Sequence, residues 1–361
     1  MLAQLSFYLF SAALPLYLNR DGGYSLGAVG VLVGLTSIVQ VGAGLFAGPV
    51  LDQCGAGLAL RLGIACYLGS AALFLVTAWL PAIVAARVLH GAGIALVLPA
   101  VFSLVPVLTP NRRQGTALGL VGGFNNIALA AGPPIGLFLL SLGPPALFGT
   151  AIAMAVLAFV MSLLLRVGVP AAEPGRLLKY RRAWTPLYAI TFLTVVYWGV
   201  VTAFLPLAVP SQQVANVGWF FTADAIAIMA ARIPAGYLAD YFGSRWLLVG
   251  GTLTTAAAIG VLTINPSFAS LVLAGIGTGV GAALLLPPIL LELTKRSDET
   301  DRGTAMALYN TSFAAAAGVG SLGAAGLVQH LGFNATLVLS MLCCLAAAPL
   351  AVGFVRPLEN R

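Results

Sequence analysis

The chain has 361 residues, of which 60% are hydrophobic and 7% charged, and a formal net charge of +7. Soluble proteins carry roughly 25% charged residues, so this composition cannot clothe a water-facing surface, and the basic residues fall in gaps between apolar runs, which excludes a nucleic-acid-binding face. It describes an all-α integral membrane protein, long enough for about twelve spans of roughly 20 apolar residues each.

In chain order the continuous apolar runs cover residues 2–18, 26–51, 58–79, 82–107, 116–140, 146–166, 185–206, 216–239, 246–264, 268–293, 304–327 and 335–355. They lack the alternation of barrel strands and are read as twelve transmembrane helices in two six-helix bundles. The first run has neither a basic flank nor a small-residue cleavage site, so it is a membrane helix rather than a signal peptide. A start inside a membrane segment points to a truncated or misassigned beginning.

Even-numbered gaps hold Arg61, Arg112, Arg113, Arg176, Lys179, Arg181, Arg182, Arg245, Lys295, Arg296 and Arg302, and the tail holds Arg356 and Arg361. Odd-numbered gaps hold only Arg20. Basic residues stay on the cytoplasmic side, which predicts an inner (plasma) membrane protein with both termini cytoplasmic. Residues 167–184 form the longest polar stretch and divide the chain into bundles 1–166 and 185–361; this linker is a solvated connector, with contact to anionic lipid as the alternative. Cys54, Cys66, Cys343 and Cys344 show no C-x-x-C spacing and no neighbouring His, so neither a disulfide nor a metal site is expected. No cofactor is expected either.

Three blocks repeat at a constant offset of 188 residues, that separating Gly48 from Gly236. Gly48-Pro-Val-Leu-Asp52-Gln-Cys-Gly55 matches Gly236-Tyr-Leu-Ala-Asp240-Tyr-Phe-Gly243, the block from Gly91 to Pro99 matches that from Gly279 to Pro287, and Gly115-Thr116-Ala117 matches Gly303-Thr304-Ala305. The halves therefore read as duplicated units, an arrangement suited to alternating access about a site near the membrane midplane.

These residues resemble the major facilitator superfamily (MFS) of secondary transporters over the whole chain. Its signature G-x-L-x-D-x-x-G-R is approached by Gly236, Leu238, Asp240, Gly243 and, one position late, Arg245. The first copy keeps Gly48, Asp52 and Gly55 but lacks the basic residues unless Arg61 substitutes. The resemblance implies a gating role for these residues as cytoplasmic latches, against a plain loop-capping role for Asp52 and Asp240. Arg87, Gly91 and Gly93 are similar to a second signature, R-x-x-x-G-x-G. An Arg within a membrane helix costs roughly 2.5–3.5 kcal/mol even on the gentler scale, so Arg87 must find water or a partner. His90 shares its helical face and reads equally as a proton relay or a structural hydrogen-bonding residue. Gly119, Ala128 and Gly132-Pro133-Pro134-Ile135-Gly136 resemble the antiporter pattern G-x8-G-x3-G-P-x2-G, although helix packing alone accounts for Gly91, Gly93, Gly132, Pro133 and Gly136.

Of the ten acidic residues, nine fall in loops, latches or near helix ends, Glu292 among them, beside Lys295 and Arg296. Only Asp224 remains well inside a membrane helix. It is the candidate for proton coupling, with a plain buried, hydrogen-bonded carboxylate as the alternative, and His90 is second. The cavity candidates are Tyr8, Arg87, His90, Asn125, Tyr197, Trp198, Asp224 and Arg232; Gln4 shares the face of Tyr8. With these candidates, the antiporter resemblance implies a proton-driven exporter of small amphipathic molecules, acting as a monomer in contact with lipid. A proton symporter for a sugar or organic anion is the rival reading, and a non-transporting receptor the rival of another class. No H-E-x-x-H, G-x-S-x-G or aspartate-rich diphosphate motif supports an enzyme.

Overall fold

The structure is a computed structural model, and it describes residues 1–76, 79–110, 114–165, 180–210, 214–264, 267–297 and 302–354. The chain divides into two compact units, Met1–Leu177 and Leu178–Arg361. Arg166 and residues 167–179 of the linker, with Arg176 and Lys179, lie outside the described residues.

Unit 1 begins with α1 (Leu2–Tyr8) and α2 (Phe10–Leu16), which run on through helical Leu9. Pro15 cannot donate a helix hydrogen bond, and a π turn over Tyr17–Asp21 follows. Then come α3 (Leu26–Cys54), α4 (Ala56–Val76), α5 (Leu80–Leu108), α6 (Gln114–Ser141) and α7 (Pro144–Leu163). Ser25 caps α3 by accepting from the Ala28 N–H at 3.3 Å. At the far end of α7, Arg61 donates to the carbonyls of Ser162 and Leu165, which satisfies groups that a helix C-terminus leaves open. Ala59, Leu60, Ile64, Tyr67, Val97, Ala100, Leu104 and Ala155 form a core shared by α4, α5 and α7. A stack of Phe10, Phe74 and Phe148 closes another part of the unit; the Phe74 and Phe148 rings lie 5.4 Å apart.

Unit 2 comprises α8 (Thr185–Ala208), α9 (Val214–Phe242), α10 (Ser244–Ile264), α11 (Phe268–Lys295) and α12 (Arg302–Phe354). The 53 residues of α12 are two helices joined at Gly332, whose φ of 83° breaks the helical path. The eleventh and twelfth apolar runs are its two halves. Trp184, the last residue of the linker as read from the sequence, is fully buried with Leu187, Ile190, Leu293 and Ala347. Its indole donates to the Arg296 carbonyl at 3.2 Å, so the polar stretch ends in a residue that belongs to the core of unit 2.

Among the described residues ten segments are long and apolar enough to cross a membrane, the last of 46 residues spanning both halves of α12. With that segment counted twice, and with the interrupted first run, the twelve runs are accounted for. Large side chains such as Phe138, Leu164 and Ile264 are exposed, as expected where the solvent is lipid rather than water.

Candidate functional site

In unit 2 the polar centre lies where α8, α9 and α11 meet. Asp224, on α9, is 2% exposed, and the Thr278 hydroxyl of α11 donates to its Oδ1 at 2.7 Å. Tyr197 of α8 is within side-chain hydrogen-bonding reach of Thr278 and electrostatic reach of Asp224. No ion pair to Asp224 is found among the described residues. Arg232 is not brought to it: eight positions on, about 12 Å along the helix axis, it lies instead within electrostatic reach of Tyr309. Trp198 packs edge-on against Phe221 with 5.7 Å between rings and helps wall the centre.

Glycines set this geometry. A Cβ on Gly275 would strike the Phe220 carbonyl, and one on Gly279 the Asp224 carbonyl. One turn apart on α11, they let the helix backbones touch, which places Thr278 against Asp224. The same device operates between α8 and α12 through Gly199 and Gly320.

In unit 1 Arg87 of α5 is buried, and its partners are backbone. Nε donates to the Leu32 carbonyl and one terminal nitrogen to the Val33 carbonyl, both at 2.9 Å. The other terminal nitrogen faces His90 Nδ1 at 3.3 Å. A guanidinium only donates, so Nδ1 accepts and the imidazole proton sits on Nε2. Phe7, Phe10 and Tyr67 surround the ring of His90 at 4.5, 5.0 and 5.6 Å. The partner that a membrane Arg requires is therefore α3 itself, and Arg87 pins α5 to it. Gly91 sits against the Thr36 carbonyl and Val39, Gly93 against Tyr67, and Gly132 and Gly136 against Tyr8 and Leu9. Tyr8 is within hydrogen-bonding reach of Asn125.

The 188-residue offset extends through these contacts. Gly63 meets Gly93 in unit 1 as Gly251 meets Gly281 in unit 2, and Gly132 meets residue 8 as Gly320 meets residue 196. Under that correspondence Thr36 and His90 occupy the places of Asp224 and Thr278, and Arg87 stands where unit 2 has Gly275. The two units hold a polar layer at the same seam, one cationic and one acidic.

At the latches, Gly55 is the single residue between α3 and α4 and Gly243 the single residue between α9 and α10, with φ of 81° and 79°. Gly48 and Asp52 fall near the end of α3, Gly236 and Asp240 near the end of α9; the surroundings of these four lie outside the described residues. Arg245 lies over the Trp246 ring at 5.6 Å. Glu292, near the C-terminus of α11, accepts from Ser244 at 2.9 Å and pairs with Arg296 at 3.1 Å and Lys295 at 3.8 Å. It ties α11 to the start of α10.

The family model of the Major Facilitator Superfamily matches residues 1–216 and 187–361. The chain belongs to the major facilitator superfamily. It is a multi-pass membrane transporter and not an enzyme. Relatives include multidrug resistance protein 1 of Bacillus subtilis, 26% identical over 74% of this chain and 72% of that protein. An uncharacterised MFS-type transporter of Salmonella typhimurium is 25% identical over 93% of this chain and 89% of its own. Quinolone resistance protein NorA of Staphylococcus aureus is 26% identical over 68% of this chain and 64% of its own. Among solved structures, the nucleoside transporter NupG superposes with a TM-score of 0.78 at 13% identity, covering 98% of this chain and 97% of that one. A POT family transporter in complex with 5-aminolevulinic acid gives 0.80 at 12%, covering 98% and 95%. These likenesses show the MFS fold.

Thr278 was not singled out by its sequence, since a Thr in an apolar helix is ordinary. The available signal was its place between Gly275 and Gly279, spaced four apart as at a close helix contact.

Proposed function

We propose that the chain is a proton-coupled antiporter that exports small amphipathic molecules across the inner (plasma) membrane, with both termini cytoplasmic. The observation that carries the reading is Asp224: a buried carboxylate with one hydroxyl partner and no cation beside it among the described residues. Burying a carboxylate without a counter-charge is costly, whereas Glu292 has Arg296, Lys295 and Ser244 beside it. Two relatives named for multidrug and quinolone resistance support the direction of transport. Tyr197, Trp198 and Arg232 would line the substrate path in unit 2, and Tyr8, Arg87, His90 and Asn125 in unit 1. Arg87 takes the part of a fixed charge. His90, caged by aromatics, takes a secondary part in coupling.

The test uses the purified chain in proteoliposomes with an imposed proton gradient and a panel of quinolones and lipophilic cations. Antiport predicts substrate movement opposite to the protons, abolished by a protonophore. Movement in the same direction establishes symport, and no movement with intact binding establishes a receptor. A reporter fused after the central linker, or at the C-terminus, is expected to be active only in the cytoplasm; a signal from the other side at either place overturns the topology.

The latches would stabilise closure of the cytoplasmic side through Asp52 and Asp240. Asp52→Asn and Asp240→Asn should each raise thiol labelling of cysteines placed in the inner half and slow turnover. Wild-type labelling and turnover in both variants would reduce the two carboxylates to loop caps.

A further inference from the structure

We propose that Thr278 is a positioning residue that transmits the protonation of Asp224 to the backbone of α11, an inference that rests on the coupling role proposed for Asp224. The buried Thr278 hydroxyl has two acceptors in reach: Asp224 Oδ1 across the seam at 2.7 Å, and the carbonyl of Gly275, three residues back in its own helix, at 3.1 Å. A hydroxyl carries one proton and two lone pairs, so it donates fully to one acceptor at a time.

The charge on Asp224 decides which. Hydrogen bonds to an ionised acceptor are roughly twice as strong as neutral ones, so an ionised Asp224 takes the Thr278 proton and leaves the Gly275 carbonyl to its helix partner. When the coupling proton binds a carboxylate oxygen, the carboxyl becomes a donor, and Thr278 Oγ1 is placed to accept from it. The hydroxyl then turns about Cβ–Oγ1 and gives its own proton to the Gly275 carbonyl. The only covalent bond formed is that between the coupling proton and Asp224; the Thr278 O–H bond is never broken. Release of the proton reverses each step. A Thr hydroxyl bonded to the preceding turn bends its helix, and at Gly275 a Cβ would strike the Phe220 carbonyl of α9. The switch therefore acts on α11 where the two helices have no room to spare.

Unit 1 shows the second position as a fixed state. The 188-residue offset places Thr36 on Asp224 and Arg87 on Gly275, and the Thr36 hydroxyl donates to the Arg87 carbonyl at 3.4 Å. A carbonyl at this place in the seam is thus open to a hydroxyl. Thr36 does not titrate, whereas unit 2 sets a carboxylate in competition with that carbonyl. The groups that face Asp224 are Thr278 from α11 and Tyr197 from α8, with Cys344 of α12 within electrostatic reach of Tyr197. No charged side chain pairs with Asp224 among the described residues.

The test is solid-state NMR of the full chain in lipid bilayers, with ¹³C at glycine carbonyls and ¹⁵N at isoleucine, across a pH titration that also follows the infrared carboxyl band of Asp224. Only three Gly–Ile peptide bonds occur, at Gly63, Gly93 and Gly275, and Ile276→Val removes the third and so assigns its signal. As the carboxyl band appears, the Gly275 carbonyl should move downfield, the direction of a gained hydrogen bond, while Gly63 and Gly93 stay in place. Thr278→Ser should keep the movement. Thr278→Val, which has the shape without the hydroxyl, should abolish it, and Asp224→Asn should abolish both the movement and the band. In proteoliposomes Thr278→Val should slow gradient-driven transport about tenfold, the scale of one hydrogen bond, and Thr278→Ser should restore it. A Gly275 signal that stays fixed while the Asp224 band titrates would overturn the switch and leave the coupling role of Asp224 standing. Absence of the band in the wild type would overturn both. Wild-type movement in Thr278→Val would also overturn the switch. The wild-type titration decides by itself if that variant fails to fold.

Discussion

Asp224→Asn is expected to abolish proton-driven transport while leaving exchange of substrate for substrate near the wild-type rate. Asn has nearly the volume of Asp and its amide oxygen still accepts from Thr278, so the α9–α11 contact survives. What disappears is the ability to take up and release a proton. Proteoliposomes loaded with a substrate found in the screen would show counterflow but no response to an imposed pH gradient. Infrared difference spectra across a pH titration should lose one protonated-carboxyl band relative to the wild type, a readout that needs no substrate. His90→Gln should weaken coupling only in part, because Arg87 already fixes Nδ1 as an acceptor. A wild-type gradient response in Asp224→Asn would remove Asp224 from the coupling role. Glu292, the other buried carboxylate among the described residues, is a poor successor because Arg296, Lys295 and Ser244 already occupy it.

The second large effect is expected at Gly279. By helix propensity alone Gly→Ala should stabilise a helix interior by about 1 kcal/mol. At Gly279 the new methyl would fall on the Asp224 carbonyl and the Ala227 side chain, and backbone cannot move aside as the tip of a flexible side chain can. Overpacking of this kind costs typically 1–3 kcal/mol, so the clash outweighs the propensity gain and the thermal midpoint should fall. Gly250, on α10, has nothing within 4 Å of an added Cβ. Gly250→Ala should therefore hold or raise the midpoint, and the opposite signs of the two variants are the check. Gly279→Ala should also lengthen the Thr278–Asp224 contact and alter coupling, which Gly250→Ala should not. Equal midpoints for both would show that the seam tolerates separation.

Much of the fold was legible because lipid demands it: a run of about 20 apolar residues without alternation has few ways to satisfy its backbone other than a helix. The breaks were less so. The first run reads as one helix, and only Pro15 hints at the interruption that follows. Gly332 sits in an ordinary-looking gap and gives no warning that two spans join there without a loop. Asp224 was legible by subtraction, since acidic residues are few enough to be placed one by one. Its partner was not, because a hydrogen bond between α9 and α11 is a matter of distance across helices, and one chain carries no record of distance. The partners of Arg87 were hidden more deeply: they are the carbonyls of Leu32 and Val33, and every residue has a carbonyl. The repeat was the strongest lever. It aligned Gly91 with Gly279 before any contact was known, and both prove to be places where two backbones touch.

The one-residue junctions at Gly55 and Gly243 carry a mechanical consequence. A positive φ is cheap only for glycine, and with no other residue between the helices there is no slack to absorb displacement. A longer connection would let α3 slide or rotate while α4 stayed in place. Here an axial shift at the end of α3 must be taken up within a single pair of torsions or passed directly to α4, and the same holds for α9 and α10. Each pair behaves as a crank with a stiff elbow. Asp52 and Asp240 lie within a turn of that elbow, where a small force acts on two helices at once.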